Sequence, residues 1–365
     1  MTVSRVTSIK YVKWQDEVIG SVDASGCVFF SDPHFNETVT IYTNGKLEWT
    51  FGQFRNFLSE RLVSRDRRDI EKILFRCGLS LYDPLRIAEV TRAIHPKDML
   101  WVAKEHDERF EDAVTDVFDS VFRQKLDLTG ESINTPEGAN IKRYGVYEGQ
   151  YGIYKKRLSP LMTDVESEIA VYLLAQELGV PCCPAYRADK DNMFSVFLYD
   201  FSKEYVVHFR RLVDGTRGSN EYQNLIKARP NMGDEFAKMI LLDFVTRQDD
   251  RHLSNFAIKI SRGSESFYPL YDNGRSLFYE DTEEMVAEAV QNPKAFATTF
   301  GMSGTYWDYV CEISERRGGV KGLINLEVDE TTVCGILRQA GFVNYRLEGA
   351  SEWILKSLHL LRELQ

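Results

Sequence analysis

The sequence predicts an α+β chain in three parts: a small N-terminal α+β module over residues 1–125, a strand-rich part with one helix over 126–202, and a mostly helical part over 203–365. Three observations carry that expectation. The hydrophobic period turns from strand-like to helix-like within the first third of the chain. Residues 126–140, rich in Thr, Gly, Ser, Asn and Pro, separate that third from a second strand-rich region. Beyond residue 203 helical spacing dominates, broken by one strand–loop–strand segment, FAIKISRGSESFYPLYD. Strands with one helix, then a helical half, predict two lobes with a cleft between them.

Composition narrows the class. With 365 residues, 43% hydrophobic and 27% charged, the chain is long enough to bury its cores without disulfide staples. The net charge of −10 lacks the global basic field of sequence-independent nucleic-acid binders, so direct nucleic-acid binding is not expected. Six cysteines form no C-x-x-C pair, which argues against zinc and for reduced thiols in a cytoplasmic protein. The N-terminus, MTVSRVTSIKYVKWQDEV, lacks the apolar stretch of a signal peptide. No run approaches the ~18 apolar residues of a membrane helix.

The elements follow in order. Residues 1–50 read as strands: GSVDASGCVFFS holds a Gly-containing turn, and VTIYTNGKLEWTF holds Asn44-Gly45, a strong hairpin signal. FGQFRNFLSERLVS, RDIEKILFRCG, PLRIAEVTRAI and FEDAVTDVFDSVFRQKL carry helical spacing. Arg61, Arg65, Arg67 and Arg68, interleaved with Asp66 and Asp69, read as a solvated helix face. IKRYGVYEG and YGIYKKRL read as paired strands joined through Glu148, Gly149 and Gln150. A helix is expected from Thr163 to Leu178, with Thr163 as N-cap, Glu166 closing a capping box and Gly179 as the stop. Strands return near Ala185–Arg187 and 194–199. Trp307, Trp353 and the amphipathic WILKSLHLLREL read as the core of a closing helical bundle.

The chemistry concentrates in LLDFVTRQDDRHLSNFAIKI. A helical run enters the polar knot Gln248-Asp249-Asp250-Arg251-His252; Asn255 follows Asp250 by five positions, and Asp272 ends the apolar run FYPLYD. Phosphoryl transfer needs a carboxylate to orient an acceptor hydroxyl and two oxygen ligands to hold Mg²⁺ against nucleotide phosphates. Asp250 suits the first role, and Asn255 with Asp272 the second. D-x-x-x-x-N followed by an Asp on the next strand is the protein-kinase spacing.

D-R-H-L-S-N-F resembles the D-x-H-x-x-N-F loop of the HipA-like Ser/Thr kinases, and PLYDNGRSLF resembles their Y-D metal motif. The resemblance covers roughly residues 130–280. It implies a bilobal protein-kinase-like fold, ATP and Mg²⁺ as cofactors, a protein substrate, and a cognate antitoxin or regulatory partner. It also implies Asp250 as catalytic base, Asn255 and Asp272 as metal ligands, and a structural role for His252. Residues 1–125 share no motif with the N-terminal region of that family, and their role is not legible.

A kinase also needs a strand lysine for the α/β-phosphates and a helix glutamate to hold it. YGIYKKRL offers Lys155 and Lys156. The residue two before the lysine shares its strand face, so Lys155 brings Ile153 as an adenine-pocket wall, whereas Lys156 brings the bulkier Tyr154; Lys155 is favoured. S-E-I-A-V-Y-L-L-A-Q-E-L-G resembles the family helix and places Glu168 at its glutamate. Residues 135–142 resemble the family's S-x-x-G-A-Q-x-K phosphate loop, which assigns Gly138 and Ala139 to phosphate binding and Thr135 to autophosphorylation. The adenine-contacting hinge is expected at residues 198–202. His208, Arg210 and Arg211 read as surface or lobe-packing residues, with a surface for an acidic or phosphorylated substrate as the alternative. Two other functions fit less well. D-R-H-x-x-N also resembles phosphatidylinositol 3/4-kinase loops, although Asp272-Asn273-Gly274 departs from their D-F-G. A pseudokinase or toxin–antitoxin interaction module would not need the full set of phosphate- and metal-handling residues.

Overall fold

A computed structural model describes residues 6–76, 78–114, 141–200, 203–213, 222–297 and 304–365. The linker at 126–140, with Thr135, Gly138 and Ala139, lies outside the described residues. The chain is mixed α/β with antiparallel sheets, and it divides into two units. The first comprises 1–156, 199–205 and 260–263; the second comprises 157–198, 206–259 and 264–365.

In the first unit, Tyr11–Trp14 (β1), Glu17–Val22 (β2), Val28–Phe30 (β3), Glu48–Trp49 (β4) and Leu100–Ala103 (β5) form an antiparallel sheet in the order β4-β3-β2-β1-β5. Its helices are Glu37–Thr43 (α1), Phe51–Ser59 (α2), Ile70–Arg76 (α3), Pro84–Thr91 (α4) and Phe110–Val114 (α5). Val12, Val22 and Val28 from the sheet share a core with Phe54, Phe57 and Leu58 of α2 and with Ile87 of α4. The helical readings of α2, α3 and α4 match the chain's apolar spacing.

Two sequence expectations fail here. Residues 37–43 are a helix, not a hairpin strand. Asn36 caps it by accepting the Val39 N–H at 2.8 Å, and Asn44 (φ 52°) ends it in the left-handed region. Asn-Gly satisfies a helix stop as well as a hairpin turn, because both require positive φ. The second failure concerns the basic cluster. Arg65 and Arg68 are exposed, but Arg61 and Arg67 are buried. Arg61 forks onto Asp98 at 2.8 and 2.7 Å and also donates to the carbonyls of Ala93 and Leu100. Arg67 donates to Asp69 and to the Lys142 carbonyl. Charge alternation in the sequence cannot reveal such partners, which lie up to 75 positions away.

The same unit contains the hairpin of Lys142–Tyr147 (β6) and Gln150–Lys156 (β7). Its turn residues Glu148 and Gly149 have φ of 50° and 79°, as a two-residue turn requires.

The second unit holds Asp164–Leu178 (α6) and the antiparallel pair Ala185–Arg187 (β8) and Asn192–Val196 (β9). Gly179 stops α6 at φ 70°, as expected. The capping box does not form. The Thr163 side chain makes no cap bond, and Glu166 is drawn instead to Arg157 at 2.7 Å and Arg187 at 3.0 Å. Two guanidinium groups outcompete one backbone N–H for the carboxylate. Residues 206–208 of Glu204–His208 (β10), residues 257–259 of Ala257–Ser261 (β11) and Ser264–Phe267 (β12) form a three-stranded sheet. Phe209, Phe236, Phe256 and Phe267 pack as one aromatic group beside it. The remaining helices are Tyr222–Ala228 (α7), Gly233–Thr246 (α8), Glu283–Ala289 (α9), Tyr306–Arg317 (α10), Glu330–Ala340 (α11) and Asn344–Arg362 (α12). Residues 236, 237 and 239–246 of α8 are all buried, and Trp353 of α12 donates its indole N–H to the Phe244 carbonyl at 3.1 Å. Among the described residues, no helix is long and apolar enough to cross a membrane.

Candidate active site

Helix α8 ends at Thr246, and Arg247 (φ 52°) turns the chain into the polar knot. The loop that follows is built by its own hydrogen bonds. The His252 N–H donates to the Asp250 carbonyl at 2.9 Å, and the Asn255 N–H donates to the His252 carbonyl at 2.8 Å. The Asn255 side chain closes the loop by donating to the Asp250 carbonyl at 2.7 Å. The spacing of five is thus a geometric requirement: it lets an amide side chain reach back across one tight turn.

Three side chains join this loop to the one carrying Asp272. Gln248, fully buried, accepts the Asp250 N–H at 2.9 Å and donates to the Asp272 carbonyl at 3.3 Å. Tyr271 donates its hydroxyl to the Ser254 carbonyl at 3.2 Å. Arg251 donates to the carbonyls of Asn255 at 2.9 Å and Tyr271 at 2.8 Å, to Asn273 Oδ1 at 2.6 Å, and to the Asp243 carboxylate at 2.9 Å. Asp272 sits at φ 59°, a left-handed conformation that costs a non-glycine residue about 1 kcal/mol or more. The bonds to its own carbonyl and to that of Tyr271 hold it there.

Helix α6 packs against the second loop. Ser167 donates to the Ser276 carbonyl at 2.8 Å, and a Cβ built on Gly274 would lie 3.4 Å from Glu168 Cγ. Glu168 is 3% exposed, so this close approach sets a buried carboxylate two residues from Asp272.

Charge is distributed unevenly over the loop. Asp250 faces Arg275 at 3.5 Å and His252 at 3.8 Å. Burial pushes the neighbouring Asp249 up to about 6, opposed by Arg275 and reinforced by the Asp250 carboxylate. Burial likewise raises the Cys182 thiol, which accepts from Asn273 Nδ2 at 3.3 Å. No disulfide occurs among the described cysteines.

The structure therefore brings Asp250, Asn255 and Asp272 into one braced assembly, with Glu168 against it. Lys155 and Ile153 lie on β7 of the first unit. Lys155 is buried and Lys156 exposed, and the hairpin register sets Lys155 opposite Lys142, which is also buried. Opposed residues on antiparallel strands share a face, so two ammonium groups occupy one face of the hairpin. Gly138 and Ala139 lie outside the described residues. Sequence reasoning missed the roles of Gln248, Arg251, Asp243 and Asn273. Asp243 carried a usable signal: a single carboxylate within the apolar run MILLDFV implies a buried partner.

The chain resembles, in fold, Shewanella oneidensis MR-1 HipA from a toxin–antitoxin complex of HipA, HipB and operator DNA. That match has 12% identity over 97% of each chain and a TM-score of 0.54. A second solved structure, the Helicobacter pylori proinflammatory kinase CtkA, matches at 15% identity over 63% of this chain and 90% of that one, with a TM-score of 0.47. No protein-family model and no curated protein matches the chain.

Proposed function

We propose that this chain is an ATP- and Mg²⁺-dependent kinase that transfers the γ-phosphoryl group to a Ser or Thr hydroxyl of a protein, itself included. The observation that carries this reading is the bracing of Asp250. Its N–H is held by Gln248 and its carbonyl by Asn255, and the same Gln248 holds the carbonyl of Asp272. The backbones of Asp250 and Asp272 are thereby held relative to one another, which supports a reaction governed by positioning.

In this reading Asp250 orients the acceptor hydroxyl and takes its proton as the oxygen bonds to the γ-phosphorus and the bond to ADP breaks. Among the described residues, no group of three or more His, Cys, Asp or Glu could hold a metal ion. An amide oxygen and one carboxylate instead suit a hard cation that keeps waters and substrate phosphates as its other ligands. Mg²⁺ would supply charge neutralisation at the phosphates. Asn255 spends its N–H on Asp250, leaving its carboxamide oxygen for that cation, with Asp272 as the second ligand. Lys155 would neutralise the α/β-phosphates, Glu168 would hold that lysine, and Ile153 would wall the adenine. Gly138 and Ala139 would present backbone N–H groups to phosphate. Because the HipA match was solved with HipB, we extend the proposal to a cognate protein partner.

The test is incubation with γ-labelled ATP and Mg²⁺ beside Asp250→Ala, read by mass spectrometry. Label on Ser or Thr in the wild type alone supports the reading and shows whether Thr135 is a target. Equal label in Asp250→Ala refutes the assignment of Asp250.

A further inference from the structure

Arg251 is 1% exposed, and its guanidinium has five N–H groups. The bonds to Asp243, Asn255, Tyr271 and Asn273 occupy all five. Only Nε and one Nη2 hydrogen go to Asp243, at 3.0 and 2.9 Å. The other three go to the two loops that carry the candidate chemistry: the Asn255 and Tyr271 carbonyls and Asn273 Oδ1. Any buried guanidinium needs an acceptor for each N–H; what distinguishes this one is that its three acceptors beyond Asp243 all lie in those two loops.

The partners are equally committed. Asp243 is fully buried on α8 and also accepts the Tyr306 hydroxyl at 3.4 Å. Its charge holds the Arg251 guanidinium well above its ordinary value, although burial opposes this. Asn273 is 2% exposed and spends its amide N–H on Cys182 Sγ. Its oxygen is therefore turned to Arg251, and both ends of the side chain are fixed. Asn273 also stands where D-F-G kinases place an aromatic ring, which could accept none of these bonds.

We infer that Arg251 and Asn273 are positioning residues: a polar latch, anchored on Asp243, that couples the Asp250–Asn255 turn to the Asp272 loop so that the two move as one. The inference rests on the kinase reading for its catalytic consequence, but the mechanical coupling is separately measurable. Lysine cannot replace Arg251, since three donors on one nitrogen cannot span the four partners. Asn273→Leu is the cleaner probe. It keeps the number of side-chain heavy atoms, removes the acceptor for Arg251 together with the donor to Cys182, and leaves the Asp243 pair and both carbonyl bonds intact.

The experiment compares wild type, Asn273→Leu and Arg251→Lys in three measurements. These are hydrogen exchange of peptides 248–256 and 270–276, Mg²⁺-dependent binding of a non-hydrolysable ATP analogue by calorimetry, and phosphoryl transfer. In Asn273→Leu both peptides should exchange faster together while α12 is unchanged. The Mg²⁺ concentration for half-maximal analogue binding should rise at least about tenfold. The kcat should fall by up to about 10²-fold, as a misplacement of about 1 Å predicts, with the KM of the protein acceptor unchanged. Unchanged exchange and Mg²⁺ dependence in an active enzyme would overturn the latch. So would acceleration of all peptides alike, which marks a purely structural role. If the wild type neither binds Mg·ATP nor transfers phosphate, the kinase reading fails. Joint loosening of the two peptides would then still establish the coupling, and independent loosening would remove it.

Discussion

Asp164 and Asp272 show how one residue type is put to different uses by its surroundings. Asp164 is 7% exposed, and burial pushes its carboxyl up to about 6 from 3.8, opposed by the N–H of Leu158 at 3.1 Å. The folded chain thus binds this proton more tightly than the unfolded chain. Its contribution to stability is complete below about pH 4 and is lost as pH rises through about 6. Asp164→Asn keeps an acceptor for Leu158 and carries no charge. Its stability relative to wild type should therefore grow across that window, approaching about 3 kcal/mol at pH 8 at about 1.4 kcal/mol per unit. Denaturant unfolding at pH 4.5 and pH 8 checks this; a constant difference would show that the carboxyl is not buried in its charged form. Asp272 is held by its backbone. Asp272→Ala should keep the fold and weaken Mg²⁺-dependent ATP binding at least about tenfold, measured by calorimetry. Unchanged affinity would remove it from the metal site.

At the scale of elements, the position of α6 depends on Gly274. Its φ is not in the left-handed region, so backbone freedom is not the reason for glycine there. Space is: a Cβ would meet the Asp164 carbonyl oxygen at 3.3 Å and Glu168 Cγ at 3.4 Å. The first of these is backbone and cannot rotate away. Gly274→Ala should push α6 from the Asp272 loop, costing about 1–3 kcal/mol as overpacking does. It should lower transfer activity more than Lys321→Ala, a change at an exposed residue. Equal activities in the two variants would show that the contact between α6 and the loop is slack. Helix α1 illustrates the opposite case, in which local capping decides the element. Asn36 and Asn44 fix its two ends, and the β-branched run between them is carried along.

At the scale of the whole molecule, the chain closes its cores around buried guanidinium groups as well as around hydrocarbon. Arg61 reaches Asp98 across 37 positions, with both side chains almost wholly buried. Removing one partner leaves an uncompensated charge, so Arg61→Ala should cost about 3–5 kcal/mol. It should also accelerate exchange of the β5 amides, because the Leu100 carbonyl loses its donor. Exchange unchanged at β5 would place the stability of that sheet elsewhere. Arg251 follows the same logic in the second unit, where the partners lie on α8 and in two loops.

What the sequence determined by itself is local. The apolar periods of α2, α4 and α12, the positive-φ turn at Glu148 and Gly149, and the stop at Gly179 all depend on residues within a few positions of one another. The D-x-x-x-x-N spacing was legible for the same reason, although the back-bond from Asn255 to Asp250 within it was seen only in the structure. Tertiary structure decided everything that depends on a distant partner. It buried Arg61 and Arg67, which charge patterning assigned to solvent. It drew Glu166 away from a capping box and onto two arginines, made Lys155 rather than Lys156 the buried lysine, and joined Asp250 to Asp272 through Gln248 and Arg251. The physical reason is desolvation. Whether a polar side chain is a solvated surface group or the centre of a site depends on which groups replace its water, and those groups are brought to it only by the fold.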